Sequence, residues 1–206
     1  MYSIRDRGHE AYSCDIIPCS GGHPEWHILG NCLDVINGNF YARLETGEWI
    51  TFNGKWDLII AHPPCTYLTT TGTRWFDVEK YGEKAEKRIE EREKAIRFFV
   101  RIAQADCERI AIENPVGIMS SSYRKPDQII NPCMFGDPYE KRTCLWLKNL
   151  PLLWADKPVK PEKRKTFESG RSMPLWYAER AKVRSRTYPG IARAMAEQWG
   201  CINVSE

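Results

Sequence analysis

Two short apolar runs, joined by a long amphipathic segment, constrain the fold of this chain more than any other feature. Residues 56–61 (WDLIIA) are almost continuously apolar, which is typical of a strand covered on both faces of a sheet. Residues 109–112 (RIAI) are a second candidate for a buried strand. Between them, residues 83–105 place apolar side chains on one face of a highly charged helix. A strand, a long helix and a second strand form a βαβ unit, which predicts a parallel sheet.

Other patterns predict further strands. Residues 10–17 (EAYSCDII) are apolar and β-prone before a break rich in proline and glycine, so they indicate a strand followed by a loop. The turn sequence at 37–39 (NGN) predicts a hairpin that continues to Phe52. Short β-like pieces occupy residues 128–130 and 143–147. The chain is therefore expected to combine a central parallel unit with smaller strands.

The C-terminal third is predicted to contain two helices, at 174–180 and 189–199, and the second has proline in its first turn and Gly200 just past its end. Residues 152–186 form a small region that is rich in proline and basic residues. With 206 residues, 42% of them hydrophobic, the chain can bury one substantial core. We therefore expect a single domain over 1–206.

The overall charge does not by itself indicate a nucleic-acid-binding protein. The formal net charge is only +3, from 30 basic and 27 acidic residues, so affinity for phosphate has to come from local clustering. Basic residues do cluster in the region 152–186. The residues of this cluster that would contact the phosphates of a nucleic-acid partner are Lys163, Arg164, Lys165, Arg171, Arg184 and Arg186. A solvated loop is the alternative for such a run of charge.

The eight cysteines accompany no secretory signal and no apolar stretch near the ~20 residues that span a bilayer. We therefore expect a reduced, cytoplasmic protein without a membrane span. Close spacing of Cys14, Cys19, His23 and His27 leaves open a zinc-stabilised interaction module. However, the spacing is shorter than in a standard zinc finger, and Cys14 lies within a predicted strand.

Two turns carry the candidate chemistry, because each sets a reactive side chain directly after a buried strand. They are 63–65 (PPC) and 113–115 (ENP). In open α/β sheets, ligands bind at the carboxyl ends of the strands, so Cys65 and Glu113 should face one crevice. A cysteine held by prolines near a carboxylate suits covalent catalysis on an electron-poor ring. The alternatives are a buried structural thiol and a helix-capping carboxylate.

In the type and order of these motifs, the chain resembles the DNA cytosine-5 methyltransferase family, particularly its short bacterial and phage versions. Residues 62–70 (HPPCTYLTT) are similar to the catalytic Pro-Cys turn, and 112–115 (IENP) to the Glu-Asn turn. The family's basic strand motif resembles 141–143 (KRT), and its closing motif resembles 187–198 (TYPGIARAMAEQ). The resemblance extends over about residues 8–200.

This resemblance implies a Rossmann-like class I methyltransferase sheet, mostly parallel, with a small C-terminal basic lobe. It also implies that Cys65 attacks C6 of a cytosine, that Glu113 hydrogen-bonds the Watson–Crick edge of the base, and that Arg142 orients the base or its phosphate. The methyl donor would be S-adenosylmethionine. The partner would be double-stranded DNA with the target cytosine flipped out, in a bacterial or phage-infected cell where the modification protects DNA against restriction.

The resemblance is weaker on the cofactor side. Asp15 matches the acidic residue that holds the cofactor ribose, and Asn31 stands where the family has an aspartate near the adenine. The implied cofactor-binding set is Asp15, Ile16, Asn31, Cys32, Pro63 and Gly190. The family's first motif, a strand and a glycine-containing loop, precedes the segment that starts at Gly8, where this chain has seven residues. We therefore expect the first strand to be missing, which leaves open a catalytically inactive remnant that retains DNA binding.

Overall fold

The computed structural model describes residues 2–162 and 188–200, which form eight strands and five α-helices. The strands are β1 (Ser13–Asp15), β2 (His27–Leu29), β3 (Phe40–Arg43), β4 (Trp49–Phe52), β5 (Leu58–Ala61), β6 (Arg109–Pro115), β7 (Gln128–Ile130) and β8 (Thr143–Lys148). The helices are α1 (Tyr2–Arg5), α2 (Val78–Tyr81), α3 (Glu83–Ala103), α4 (Met119–Ser122) and α5 (Pro189–Trp199). Short 3₁₀ helices occupy Pro24–Trp26, Cys32–Asp34, Thr70–Phe76 and Pro132–Met134.

The described strands form three sheets of mixed character. β1 and β2 form a parallel pair, β3 and β4 form an antiparallel hairpin, and the largest sheet has the order β5-β6-β8-β7. In that sheet β5 and β6 are parallel, whereas β8 is antiparallel to both β6 and β7. The fold is therefore α/β with some parallel pairing. The expectation of one mostly parallel, Rossmann-like sheet is not confirmed, because the four-stranded sheet is mixed.

The central βαβ unit is confirmed. β5, α3 and β6 follow one another, and the two strands are in parallel register from Leu58 opposite Arg109 to Ala61 opposite Ile112. One prediction about this unit is wrong within the described residues, since β5 is not a central strand. It lies at the edge of its sheet, and its four residues are only half-buried.

The four-stranded sheet is packed between α3 on one face and α5 on the other, because side chains alternate across each strand. On the α3 side the core includes Phe99, Ile102, Ile110, Ile112 and Trp146. On the α5 side it includes Ala111, Leu145, Ile191, Ala194 and Trp199. A third, smaller cluster joins β2 to the hairpin and includes Ile28, Val35, Phe40 and Leu44. These layers hold the carboxyl ends of β5 and β6 in fixed positions.

Most smaller elements agree with the sequence patterns. The β3–β4 hairpin, β7, β8 and the closing helix α5 are confirmed, and α5 begins and ends at the predicted residues. β2 was not predicted, since it has three residues within a segment rich in turn-forming residues. The predicted helix at 174–180 lies outside the described residues. None of the helices in the described part is both long and apolar enough to cross a membrane.

Candidate active site

The turn with Cys65 meets the end of β6, and residues 113–115 belong to that strand instead of forming the predicted turn, because they pair with β8. His62 and Glu113 follow the last registered pair of these strands, and His62 Nδ1 lies 3.1 Å from Glu113 Oε2. Asn114 is 1% exposed, and its Nδ2 donates a hydrogen bond of 2.8 Å to the carbonyl of Pro63. Two consecutive side chains of β6 therefore hold the turn that carries Cys65.

A second set of backbone contacts holds the segment that follows Cys65. The Cys65 carbonyl accepts hydrogen bonds from the amides of Leu68 and Thr69, at 3.0 and 3.2 Å. The Leu68 carbonyl in turn accepts from the amide of Ile118 at 2.8 Å. This approach requires glycine at 117, because a Cβ there would lie 2.0 Å from the Leu68 carbonyl oxygen. Cys65 is therefore anchored on both sides to the chain that follows β6.

The Cys65 thiol differs from the other thiols of the core. It is half-buried and makes no hydrogen bond to any residue in the described part of the chain. Cys107 and Cys144 are buried, and burial raises the pKa of both thiols. Burial, with neighbouring acidic groups, also raises the pKa of Cys14 to about 12. Cys65 combines a firm backbone anchor with partial exposure of the residue, a setting that suits a nucleophile.

Arg142 lies directly before β8, at the same end of the sheet as Glu113, since Thr143 pairs with Pro115. Its side chain is exposed and makes no ion pair with a described residue. Arg142 and Glu113 both act electrostatically on Cys144, in opposite directions. The structure thus brings the three predicted catalytic residues to one end of the sheet, without a direct contact between Arg142 and Glu113.

The predicted cofactor residues at the N-terminal end also come together. Parallel pairing of β1 with β2 sets Asp15 opposite Leu29, and the Gly30 amide donates to the Asp15 carbonyl at 2.9 Å. Asn31 follows directly, so Asp15 and Asn31 lie at the same end of this pair, with Cys32 next along the chain. The Ile16 side chain is 79% exposed beside them.

These residues fit the nucleoside half of a cofactor. Asp15 Oδ1 accepts from the Ile17 amide at 3.2 Å, which leaves the second carboxylate oxygen for ribose hydroxyls. Asn31 Oδ1 accepts from the Leu33 amide at 3.1 Å, which leaves its amide NH₂ group as a donor. The exposed Ile16 offers an apolar surface for a purine ring.

Pro63 and Gly190 have clear packing roles. Pro63 is buried, and its carbonyl holds the Asn114 amide. The Gly190 amide donates to Asp137 Oδ2 at 2.8 Å, and a Cβ at Gly190 would lie 2.1 Å from the Phe135 carbonyl oxygen. Glycine is therefore needed where α5 begins against Phe135, and the cofactor role of both residues stays a prediction.

Sequence reasoning did not identify His62, Gly117 or the anchoring role of Asn114. For two of them the sequence gives only a weak indication, since His62 precedes the two prolines and Gly117 follows the ENP sequence by two residues. Neither pattern specifies a partner, because the contacts join residues more than 45 positions apart in the chain. Asn114 Oδ1 is buried and has no hydrogen-bond partner in the described structure.

The remaining predicted residues divide into two groups. All six basic residues assigned to DNA contact lie outside the described residues. The four residues of the possible zinc site, Cys14, Cys19, His23 and His27, lie in the described part of the chain. Within that part, no group of three or more potential metal ligands comes together. His27 instead places its ring nitrogens 2.8 Å from Ser13 Oγ and 3.0 Å from the Ile17 carbonyl, and His23 stacks on Trp26.

In comparisons with known proteins, the chain matches no protein-family model and no curated protein. The geometry of the site is therefore the observation from which a function can be proposed.

Proposed function

We propose that this protein is a DNA (cytosine-5)-methyltransferase in which Cys65 is the nucleophile and S-adenosylmethionine is the methyl donor. The observation that carries the proposal is the double anchoring of the Cys65 turn beside Glu113. The Asn114 side chain holds the turn on one side, and the Leu68–Ile118 hydrogen bond holds it on the other. A cysteine on a turn fixed in this way, at the same end of the sheet as the Glu113 carboxylate, is suited to covalent catalysis on a base.

The proposed reaction balances through one covalent adduct. The Cys65 thiolate adds to C6 of cytosine, and the electron pair of the C5–C6 double bond moves to C5. S-adenosylmethionine, when bound, supplies the methyl group that C5 takes. Loss of the C5 proton to a base then restores the double bond as the sulfur–C6 bond breaks. The products are 5-methylcytosine, S-adenosylhomocysteine, the regenerated Cys65 thiolate and the protonated base that accepted the C5 proton.

Glu113 and Arg142 would hold the base during this reaction. The Glu113 side chain is 19% exposed, so part of its carboxylate can reach the Watson–Crick edge of a cytosine. His62 Nδ1, 3.1 Å away, orients that carboxylate from the other side. Arg142 is exposed and has no ion-pair partner in the described structure, so its guanidinium is available for the base or its phosphate.

The proposal includes a Rossmann-like layer made of the β1–β2 pair and the four-stranded sheet. The rings of Tyr12 and Trp56, which come just before β1 and β5, have centroids 6.4 Å apart, so these strands start close together. Both strands have one edge without a strand partner among the described residues. A strand paired with both free edges would make the layer continuous.

The proposed partner is duplex DNA whose target cytosine leaves the helix to reach Cys65. Flipping costs a few kcal/mol, so the protein has to recover this energy through contacts with the base and the backbone. The six basic residues between 163 and 186 are proposed to supply part of that backbone contact.

A remnant that binds DNA without cofactor is the second candidate. It would apply if the groups left on the cofactor side, the second Asp15 carboxylate oxygen and the Asn31 amide NH₂ group, are too few to hold S-adenosylmethionine. Calorimetric titration with S-adenosylmethionine separates the two candidates. Binding of S-adenosylmethionine supports the transferase. Binding of DNA without binding of S-adenosylmethionine supports the remnant.

Covalent trapping tests the transferase directly. We expect a duplex containing 5-fluorocytosine to form a stable adduct with the wild-type protein in the presence of S-adenosylmethionine, because fluorine at C5 leaves no proton to eliminate. The Cys65→Ser variant should form none. The adduct is measured as a mobility shift on a denaturing gel and located by mass spectrometry.

The matched control is Cys133→Ser, which changes another half-buried cysteine outside the proposed site and should trap as the wild type does. Equal trapping by Cys65→Ser, or an adduct at another cysteine, would contradict the assigned nucleophile.

A further inference from the structure

Two arginines on α3 form a pair of like charges beside the Cys65 turn. Arg88 and Arg92 are four residues apart on the helix, so their side chains project from the same face. Both are half-buried against the 3₁₀ helix Thr70–Phe76. The Arg92 guanidinium lies 3.2 Å from the centroid of the Phe76 ring, and that of Arg88 lies 5.2 Å from it.

This pair of half-buried arginines has no carboxylate partner among the described residues. Neither arginine forms an ion pair with a residue in the described ranges, and Arg88 Nε is buried without a hydrogen-bond partner. Glu91, one helical turn from Arg88, is paired with Lys94 instead, at 2.7 Å. Burial, with the positive charge of Arg88 as the second cause, lowers the pKa of Arg92. Two guanidiniums held together without an anion form a site that an anion would stabilise.

The pair is joined to the segment that carries Cys65. Arg92 Nε donates a hydrogen bond of 3.1 Å to the carbonyl of Tyr67, two residues after Cys65. Arg88 Nη2 lies beside Gly72, 3.6 Å from where a Cβ would be, so this guanidinium also lies against the segment that follows Cys65. An anion bound at this pair would therefore lie close to a base that reaches Cys65.

We propose that Arg88 and Arg92 bind a backbone phosphate of the DNA strand whose cytosine enters the Cys65 site. This inference rests on the proposed function, and it adds a phosphate contact on α3, far in sequence from the basic cluster at 163–186. Arginine pairs bind phosphate through several parallel N–H donors, which the free N–H groups of these two side chains supply. The contact would fix the register of the strand next to the flipped base.

The salt dependence of DNA binding tests the inference. Removing one phosphate contact reduces the steepness of a plot of log K for DNA binding against log salt concentration by about 0.9. Binding of a short labelled duplex is measured by fluorescence anisotropy over a range of salt concentrations. We expect Arg88→Gln and Arg92→Gln to lower the slope, and Arg88→Lys, which keeps the charge, to retain it. Arg101→Gln removes an exposed arginine of the same helix and should leave the slope unchanged.

The outcomes separate this inference from the proposed function. If the wild type binds DNA and Arg88→Gln weakens binding without changing the slope, the arginines only support the 3₁₀ helix and the inference is overturned alone. If the wild type does not bind DNA, the inference and the proposed function fail together. Should Arg88→Gln not fold, the ¹⁵N resonance of Arg88 Nε in the wild type decides: a shift on addition of duplex supports the site, and no shift overturns it.

Discussion

Among the proposed catalytic residues, Glu113 is the one whose side chain is held by a contact with another side chain. Its carboxylate is mostly buried and lies 3.1 Å from His62 Nδ1, so it is oriented before any substrate arrives. A carboxylate that is already oriented favours the transition state, because no reorganisation is needed as charge develops on the base.

Replacing Glu113 with glutamine should therefore reduce methyl transfer by about 10²- to 10⁴-fold, the usual range for a group that moves or holds a proton in the transition state. The amide keeps the size of the side chain but removes its charge. Transfer of radiolabelled methyl groups from S-adenosylmethionine to DNA measures the decrease.

Glu108→Gln is the control, since Glu108 is exposed just before β6 begins, at the opposite end of the strand. Its activity should equal that of the wild type. If Glu113→Gln were as active as Glu108→Gln, the proposed role of Glu113 would be wrong.

Among the elements of the fold, the segment after Cys65 depends most on its approach to the chain that follows β6. Thr69 forms an isolated antiparallel bridge with Gly117, and the Ile118 amide donates to the Leu68 carbonyl at 2.8 Å. Backbone lies against backbone here, so a side chain at 117 has no flexible neighbour to displace.

Gly117→Ala should lower the free energy of unfolding by about 1–3 kcal/mol, the usual cost of inserting a methyl group where there is no space. The added Cβ would lie 2.0 Å from the Leu68 oxygen and 2.8 Å from its carbon, so the Cys65 turn has to shift. Urea unfolding measures the change in stability, and trapping with 5-fluorocytosine DNA should decrease in parallel.

Gly30→Ala is the matched substitution for stability, because neither glycine has a positive φ and a Cβ at Gly30 meets nothing within 4 Å. Its unfolding midpoint should stay near that of the wild type. Equal midpoints for the two variants would show that the close approach at Gly117 is not required.

For the molecule taken together, α5 joins the C-terminal end of the described chain to the sheet. Arg193 on this helix contacts both oxygens of Asp156, at 2.5 and 3.0 Å, and also reaches Glu197 at 2.6 Å. Trp199 Nε1 donates to the Pro151 carbonyl at 3.0 Å. The loop that follows β8 and helix α5 are thereby fixed to each other over the buried face of the sheet.

Asp156→Asn should lower the free energy of unfolding at neutral pH by about 1–2 kcal/mol, since hydrogen bonds to charged groups exceed exposed ion pairs in strength. The hydrogen bond from Arg193 lowers the pKa of Asp156. A lowered pKa in the folded protein means that this stabilisation is present above the ordinary aspartate pKa of about 3.9 and is lost as pH falls through the lower folded value.

The difference in the free energy of unfolding between the wild type and Asp156→Asn should therefore become smaller below about pH 4. Thermal unfolding measured at a series of pH values from 7 downwards follows this difference. Asp106→Asn, which removes an ion pair to Lys55 with both side chains 63% exposed, should have almost no effect. A pH-independent difference for Asp156→Asn would contradict the assigned cause.

Much of the fold could be predicted because the patterns involved are local. The period of α3, the apolar run of β5, the turn before the hairpin and the proline at the start of α5 each specify an element from neighbouring residues alone. The three-residue strand β2 could not be predicted in this way, since it exists only through its pairing with β1. The edge position of β5 likewise depends on which strands lie beside it.

For the site, the amino-acid pattern was sufficient to show which reactive side chains follow predicted strands, and so it singled out Cys65 and Glu113 as candidates. The three-dimensional packing was needed to show that Asn114 and Gly117 hold the Cys65 turn, that His62 orients Glu113, and that Arg88 and Arg92 lie beside it without a carboxylate. The difference arises from the range of the contacts. Strand and helix patterns arise from neighbours along the chain, whereas these contacts join groups on distant segments, whose positions depend on the packing of the whole sheet.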